Sequence, residues 1–139
     1  MNRSRPIPFC TLPTTYLPYT GGFGTVLSIT EQDGIPVVGL PRRFDADTTQ
    51  AAESELRPVL ERHPKRLLFD FEKTEYISSA GVRVILATSK TLKETDGVIA
   101  LCTLGRETRY VLEITGFTKF LTIFPDREKA LKHWRKEKE

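Results

Sequence analysis

The chain has 139 residues, 39% hydrophobic and 28% charged, which suits a single globular domain with a sizeable core. Its formal net charge of +3 is modest and arises partly at the ends, from Arg3 and Arg5 and from Lys129, Lys132, Arg135, Lys136 and Lys138. No basic run is interleaved with aromatics, no apolar run approaches the ~18 residues of a membrane span, and the N-terminus lacks the apolar core of a secretion signal, which argues against nucleic-acid binding, membrane insertion and export.

Residues 1–22 stand apart. Pro6, Pro8, Pro13 and Pro18, with Gly21 and Gly22, interrupt any periodic run, whereas Phe9, Leu12, Tyr16, Leu17 and Tyr19 are unlike a simple linker. Two readings remain open: an irregular arm lying on the domain or on a partner, and a loose terminal tail. The domain proper is expected over 23–139.

Thr25 to Thr30 and Ile35 to Leu40 read as strands joined at Asp33-Gly34, a favoured hairpin pair. Pro36 cannot donate to a ladder, so the second strand is expected to be open on one side there or to begin after it. Pro41-Arg42-Arg43-Phe44-Asp45 leads to a helix start, where Asp47 followed by Gln50 has capping-box character. Ala52, Leu56, Val59 and Leu60 form the apolar stripe of this helix. Pro58 predicts a kink or break near Leu56, because it removes a donor and crowds the preceding turn at a cost of ~3 kcal/mol. His63-Pro64 ends the segment.

Leu67 to Phe71 reads as a buried strand, with Leu67, Phe69 and Phe71 on one face and Leu68 also apolar. After a polar connection comes Tyr76-Ile77-Ser78-Ser79-Ala80-Gly81. Val82, Ile85, Leu86 and Leu92 then mark an amphipathic helix that closes at Asp96-Gly97, with the glycine as its C-terminal cap. Val98 to Leu101 is another strand, and Cys102 beside it a small buried residue. A short helix fits Arg106 to Thr115, with Tyr110, Val111 and Ile114 as its apolar positions and Gly116 as its stop. Leu121 to Phe124 is a last strand. Asp126 caps a final helix that turns Ala130, Leu131 and Trp134 inward. The order β-β-α-β-α-β-α-β-α predicts an α/β fold with a mixed, largely parallel sheet of about four to five strands and about four helices.

Chemistry of the usual enzymatic kinds is missing. There is no G-x-x-x-x-G-K-[ST], no G-x-G-x-x-G and no H-E-x-x-H. Ser79-Ala80-Gly81 is half of a nucleophile elbow, but residue 77 is isoleucine where the motif needs glycine. His63 sits at a helix end and His133 in a lysine-rich helix, and Cys10 and Cys102 are too few for a disulfide framework or, with these histidines, a metal site. No cofactor is expected, and a reducing cytoplasm is the expected compartment.

Attention therefore falls on Ser78-Ser79, where a connection meets a helix N-terminus with its unpaired N–H groups and partial positive charge. A serine there serves as an N-cap, for ~1 kcal/mol. Ala80 and Gly81 add a bare surface that another backbone or a phosphate can approach. A phosphoserine would bring about −1.5 to −2 of charge to those donors, and the same charge inside a closed interface would cost several kcal/mol. Capping and phosphorylation are compatible roles for one serine.

The strand before it, Tyr76-Ile77-Ser78-Ser79-Ala80-Gly81-Val82-Arg83-Val84, the helix that follows and Leu112-Glu113-Ile114-Thr115-Gly116-Phe117 resemble the STAS domain of bacterial anti-sigma factor antagonists. The resemblance covers about residues 25–138. It implies a STAS-like single domain that switches partners and catalyses nothing. In that family the unmodified antagonist binds an anti-sigma factor that is also a serine kinase, and so frees the sigma factor. Phosphorylation ends the binding, and a metal-dependent serine phosphatase restores it. Aligned on Gly81, the phosphoacceptor is Ser79, with Ser78 the lesser candidate. Ser78 occupies a place where many members carry aspartate, and Ala80 one where many carry a second serine. Asp45 resembles the family's aspartate near the phosphoserine, or is a polar residue flanking the helix. The implied binding surface comprises Asp45, Ser78, Ser79, Ala80, Gly81, Val82 and Arg83. Arg42 and Arg43, in place of a glycine-containing turn, either meet a partner or phosphate or solvate a face. Two other readings are an accessory subunit of a membrane transporter, with the serine only a cap, and a small hydrolase using Ser79.

Overall fold

In the computed structural model, which describes residues 25–119 and 121–138, five strands form one sheet in the order β1-β2-β4-β6-β7. The arm expected over 1–22 and the domain start at Phe23 lie outside the described residues. β1 (Ser28–Gln32) and β2 (Ile35–Gly39) form the predicted hairpin, with Asp33 and Gly34 at φ 55° and 76°, the left-handed pair that a tight two-residue turn requires. β4 (Arg66–Asp70), β6 (Val98–Cys102) and β7 (Thr122–Phe124) continue the sheet in parallel. β2 meets β4 only from Val37 onward, so Pro36 falls outside that ladder, as its missing donor demands.

Alternation along the central strands separates two cores. Val38, Leu67, Phe69, Ile99 and Leu101 face a large cluster that also takes Ala52, Leu56 and Val59 of α1 (Ala46–Glu61), Val82, Val84, Ile85 and Leu92 of α2 (Ser79–Lys93) and Leu112 of α3 (Arg106–Ile114). Val37, Leu68, Ala100 and Cys102 face the other side, where α4 (Arg127–Lys138) buries Ala130, Leu131 and Trp134. Strands covered on both faces read as continuous apolar runs, and LLF and VIALC do so. On the α4 side the Asp70 carboxylate is buried but engaged: one oxygen accepts from Arg127 Nη2 at 2.6 Å and Nε at 3.1 Å, the other from the Glu72 N–H at 3.0 Å.

Several local expectations are corrected. The cap of α1 is Asp45, two residues before Asp47: its carboxylate accepts from the Asp47 N–H at 3.0 Å, while the Thr48 hydroxyl accepts from the Asp45 N–H at 3.0 Å. α1 runs unbroken through Pro58. The proline lies in the last turn and orphans only the carbonyl of Ser54, an exposed residue, while buried Val59 holds that turn on the sheet.

At the end of α2 the left-handed residue is Asp96, at φ 62°, not the glycine. Gly97 is needed for space instead, since a β-carbon there would lie 2.8 Å from the Pro64 carbonyl oxygen, and its N–H closes the helix on Leu92 O at 2.7 Å. α3 packs through Thr108 and Leu112, with Val111 partly covered, leaving Tyr110 and Ile114 60% and 63% exposed.

Candidate functional site

Beyond the C-terminal ends of β2 and β4 the chain builds a second, two-stranded ladder within segments whose sequence reads only as connections. β3 (Arg43–Phe44) pairs in parallel with β5 (Tyr76–Ile77), Arg43 beside Tyr76 and Phe44 beside Ile77. The two connections are stitched along their length. The Thr74 hydroxyl donates to Pro41 O at 2.9 Å, the Glu75 and Tyr76 N–H groups to Arg42 O at 2.8 and 3.2 Å, and the Ser78 N–H to Phe44 O at 3.0 Å. Phe44 and Ile77 anchor the ladder in the main core. Asp45 and Ser78 therefore leave it side by side, each as the N-cap of the helix that follows.

Ser78 caps α2 with its hydroxyl, which accepts from the Gly81 N–H at 3.4 Å, long for such a bond. Ser79, the first helical residue, is exposed, and its hydroxyl has no hydrogen-bond partner among the described residues. The N–H groups of Ser79 and Ala80 are likewise unpaired there, the ordinary condition of a first helical turn. No acidic side chain lies in that turn to offset the helix dipole.

The seven residues expected at the surface divide by burial. Ser79 and Arg83 are exposed, and Asp45, Ser78 and Ala80 are half-buried. Gly81 and Val82 face inward. A β-carbon on Gly81 would stand 2.6 Å from the Phe44 carbonyl oxygen, so the backbone that approaches this glycine is the protein's own. Its role in the site is to let α2 start directly against β3. Arg42 and Arg43 are engaged within the chain: Arg42 pairs with Glu75 at 2.9 Å, and Arg43 pairs with Asp45 at 3.3 Å while lying 4.7 Å over the Tyr76 ring.

Neither histidine is placed to serve Ser79 as a base. His63 ends α1 beside Thr88 and Thr91 of α2, about 13 Å or more along the helix from Ser79. His133 is on α4, across the sheet, against Glu137 and Phe124. Among the described residues no group of three or more His, Cys, Asp or Glu side chains is arranged to hold a metal ion, and no helix is long and apolar enough to cross a membrane.

A family model described as the STAS domain matches residues 27–130. The chain belongs to the STAS-domain family of anti-sigma factor antagonists. It is 32% identical over 104 residues to BtrV of Bordetella bronchiseptica, described as a candidate anti-sigma factor antagonist, covering 75% of this chain and 90% of BtrV. An anti-sigma factor antagonist from Mycobacterium paratuberculosis superposes with a TM-score of 0.72 at 27% identity, over 78% of this chain and 92% of that one. SpoIIAA in its phosphorylated form shares the fold, with a TM-score of 0.61 at 16% identity over 77% of this chain and 97% of SpoIIAA. The α/β STAS fold, the mixed and largely parallel five-stranded sheet and the four helices agree with the sequence reading. A STAS domain of this family is a regulatory module of partner switching and not a catalyst.

Proposed function

We propose that this STAS domain, when unmodified, binds an anti-sigma factor that is also a serine kinase, and that phosphorylation of Ser79 ends the complex. A metal-dependent serine phosphatase then returns the domain to its binding form. The observation that carries this reading is the contrast within Ser78-Ser79. Ser78 is half-buried with its hydroxyl turned to the Gly81 N–H at 3.4 Å, whereas Ser79 is exposed and its hydroxyl has no partner among the described residues, at the start of a helix whose first N–H groups are open.

A phosphate on Ser79 would stand on the outer surface at the α2 N-terminus, in reach of those donors. In the unmodified protein the same place offers a partner a small, uncharged surface of Ser79 and Ala80, flanked by Asp45 and Arg83. Closing a partner over a phosphate dianion would strip its remaining water, at a cost of several kcal/mol that a single neighbouring cation does not offset.

The test is intact-mass analysis after incubation with an anti-sigma-type kinase and ATP. One phosphate is expected on the native chain and none on Ser79→Ala, with Ser78→Ala still modified. Undiminished modification of Ser79→Ala would reassign the site.

A further inference from the structure

Arg83 is exposed and, among the described residues, makes no hydrogen bond or ion pair. It lies four residues after Ser79 on α2, so the two side chains share one face of the helix. Side chains on a helix lean toward its N-terminus, and a long one covers the turn before its own position. From this position the guanidinium of Arg83 can reach back over the turn that begins with Ser79. Of the two arginines on the β3 side of the site, Arg42 is paired with Glu75 and Arg43 with Asp45.

We propose that Arg83 is the internal counter-ion of the phosphate carried by Ser79, pairing with it across one turn of α2. The proposal rests on Ser79 as the phosphoacceptor and adds what the modification does to its surroundings. In the unmodified protein Arg83 stands free on the binding face, available to an acidic group of the partner. In the modified protein its fork donates to the phosphate oxygens, a geometry that guanidinium and phosphate share. Phosphorylation therefore adds an anion to the surface and withdraws a cation from it in the same step. The pair also bridges the first turn of α2, which carries no acidic residue of its own.

The experiment uses the full chain with phosphoserine built in at position 79 during synthesis, so that no kinase is involved. Phosphorus NMR follows the second ionisation of the phosphate against pH. An arginine paired at this spacing favours the dianion, and Arg83→Gln should raise the ionisation midpoint by roughly 0.3 pH unit. Arg83→Lys should restore part of the shift. Lys132→Gln, on the opposite face of the sheet, removes the same charge and should leave the midpoint unchanged. The titratable and charged groups of the neighbouring elements, Asp45, Glu75, Tyr76, Arg42 and Arg43 around the ladder and Arg106, Glu107, Arg109 and Glu113 of α3, are common to every variant, so the difference isolates Arg83.

An Arg83→Gln midpoint equal to that of the parent, or an equal rise in Lys132→Gln, overturns the proposal. Failure of a kinase to modify Ser79 would contradict the functional reading and leave this result standing. Loss of the Arg83 effect would leave the kinase result standing.

Discussion

A β-carbon added at Gly81 would lie 2.6 Å from the Phe44 carbonyl oxygen and 2.9 Å from both Phe44 Cδ2 and Ile77 Cγ1. Backbone cannot step aside as a flexible side-chain end can, so Gly81→Ala must push α2 off the β3–β5 ladder. Overpacking of this kind costs about 1–3 kcal/mol, and denaturant unfolding should show a loss in that range. A Gly81→Ala protein as stable as its parent would mean that the helix start is not seated as described. Cys102 gives a second residue-scale prediction. Burial, above all, pushes its thiol up to about 12 from an ordinary 9.0. The folded protein therefore keeps it neutral, and iodoacetamide at pH 8 should label Cys102 only after denaturation. In the unfolded chain the thiol ionises near 9.0, so the stabilisation from burying it neutral is fully present below that pH and is lost as pH rises toward 12. Rapid labelling of the native protein at Cys102 would contradict this burial.

At the scale of elements, the two helix starts at the site are coupled through one ladder. Asp45 closes α1 through the Asp47 N–H and the Thr48 box, and also holds Arg43, which lies over Tyr76. Asp45→Ala should cost about 1 kcal/mol as a lost cap. Hydrogen exchange should quicken in the first turn of α1 and leave the C-terminal half of α2 unchanged; an unaltered α1 start would remove Asp45 from the capping role.

Much of this architecture is visible in the residues, because its signals are local. Asp33-Gly34 marks a tight turn, and the continuous apolar runs LLF and VIALC mark doubly covered strands. The misreadings share a cause, which is that tertiary placement chose between locally similar options. Asp45 and Asp47 are both plausible caps, and the pairing of Phe44 with Ile77 decides for the first. Pro58 breaks helices in general, yet here it leaves only the carbonyl of Ser54, an exposed residue, without its helical donor. The ladder of two residues on each side is too short to leave a periodic trace. Gly81 looked like open space because the sequence does not reveal that Phe44 comes to rest against it. Tyr110 and Ile114 looked like a core face until Thr108 and Leu112 took that place.

For the whole molecule, the sheet and its two cores hold the α2 N-terminus at the surface, with the Ser79 hydroxyl unpartnered among the described residues. β4 delivers the chain to the stitched loops, the ladder fixes the entry angle of α2, and buried Val82, Val84 and Ile85 keep the helix from rotating. A charge placed on such a rigid terminus could not be moved out of an interface by local relaxation, so under the proposed reading a single phosphate at Ser79 would suffice as a switch. The central claim is that this phosphate, and not the loss of the serine hydroxyl, ends partner binding. The direct measurement is the dissociation constant for the anti-sigma partner, by titration calorimetry, with the unmodified chain, Ser79→Ala and the chain carrying phosphoserine at position 79. The first two should bind alike, and the phosphorylated chain should bind at least ~100-fold more weakly, a difference of about 2.7 kcal/mol. Equal affinity of the phosphorylated and unmodified chains would contradict the account.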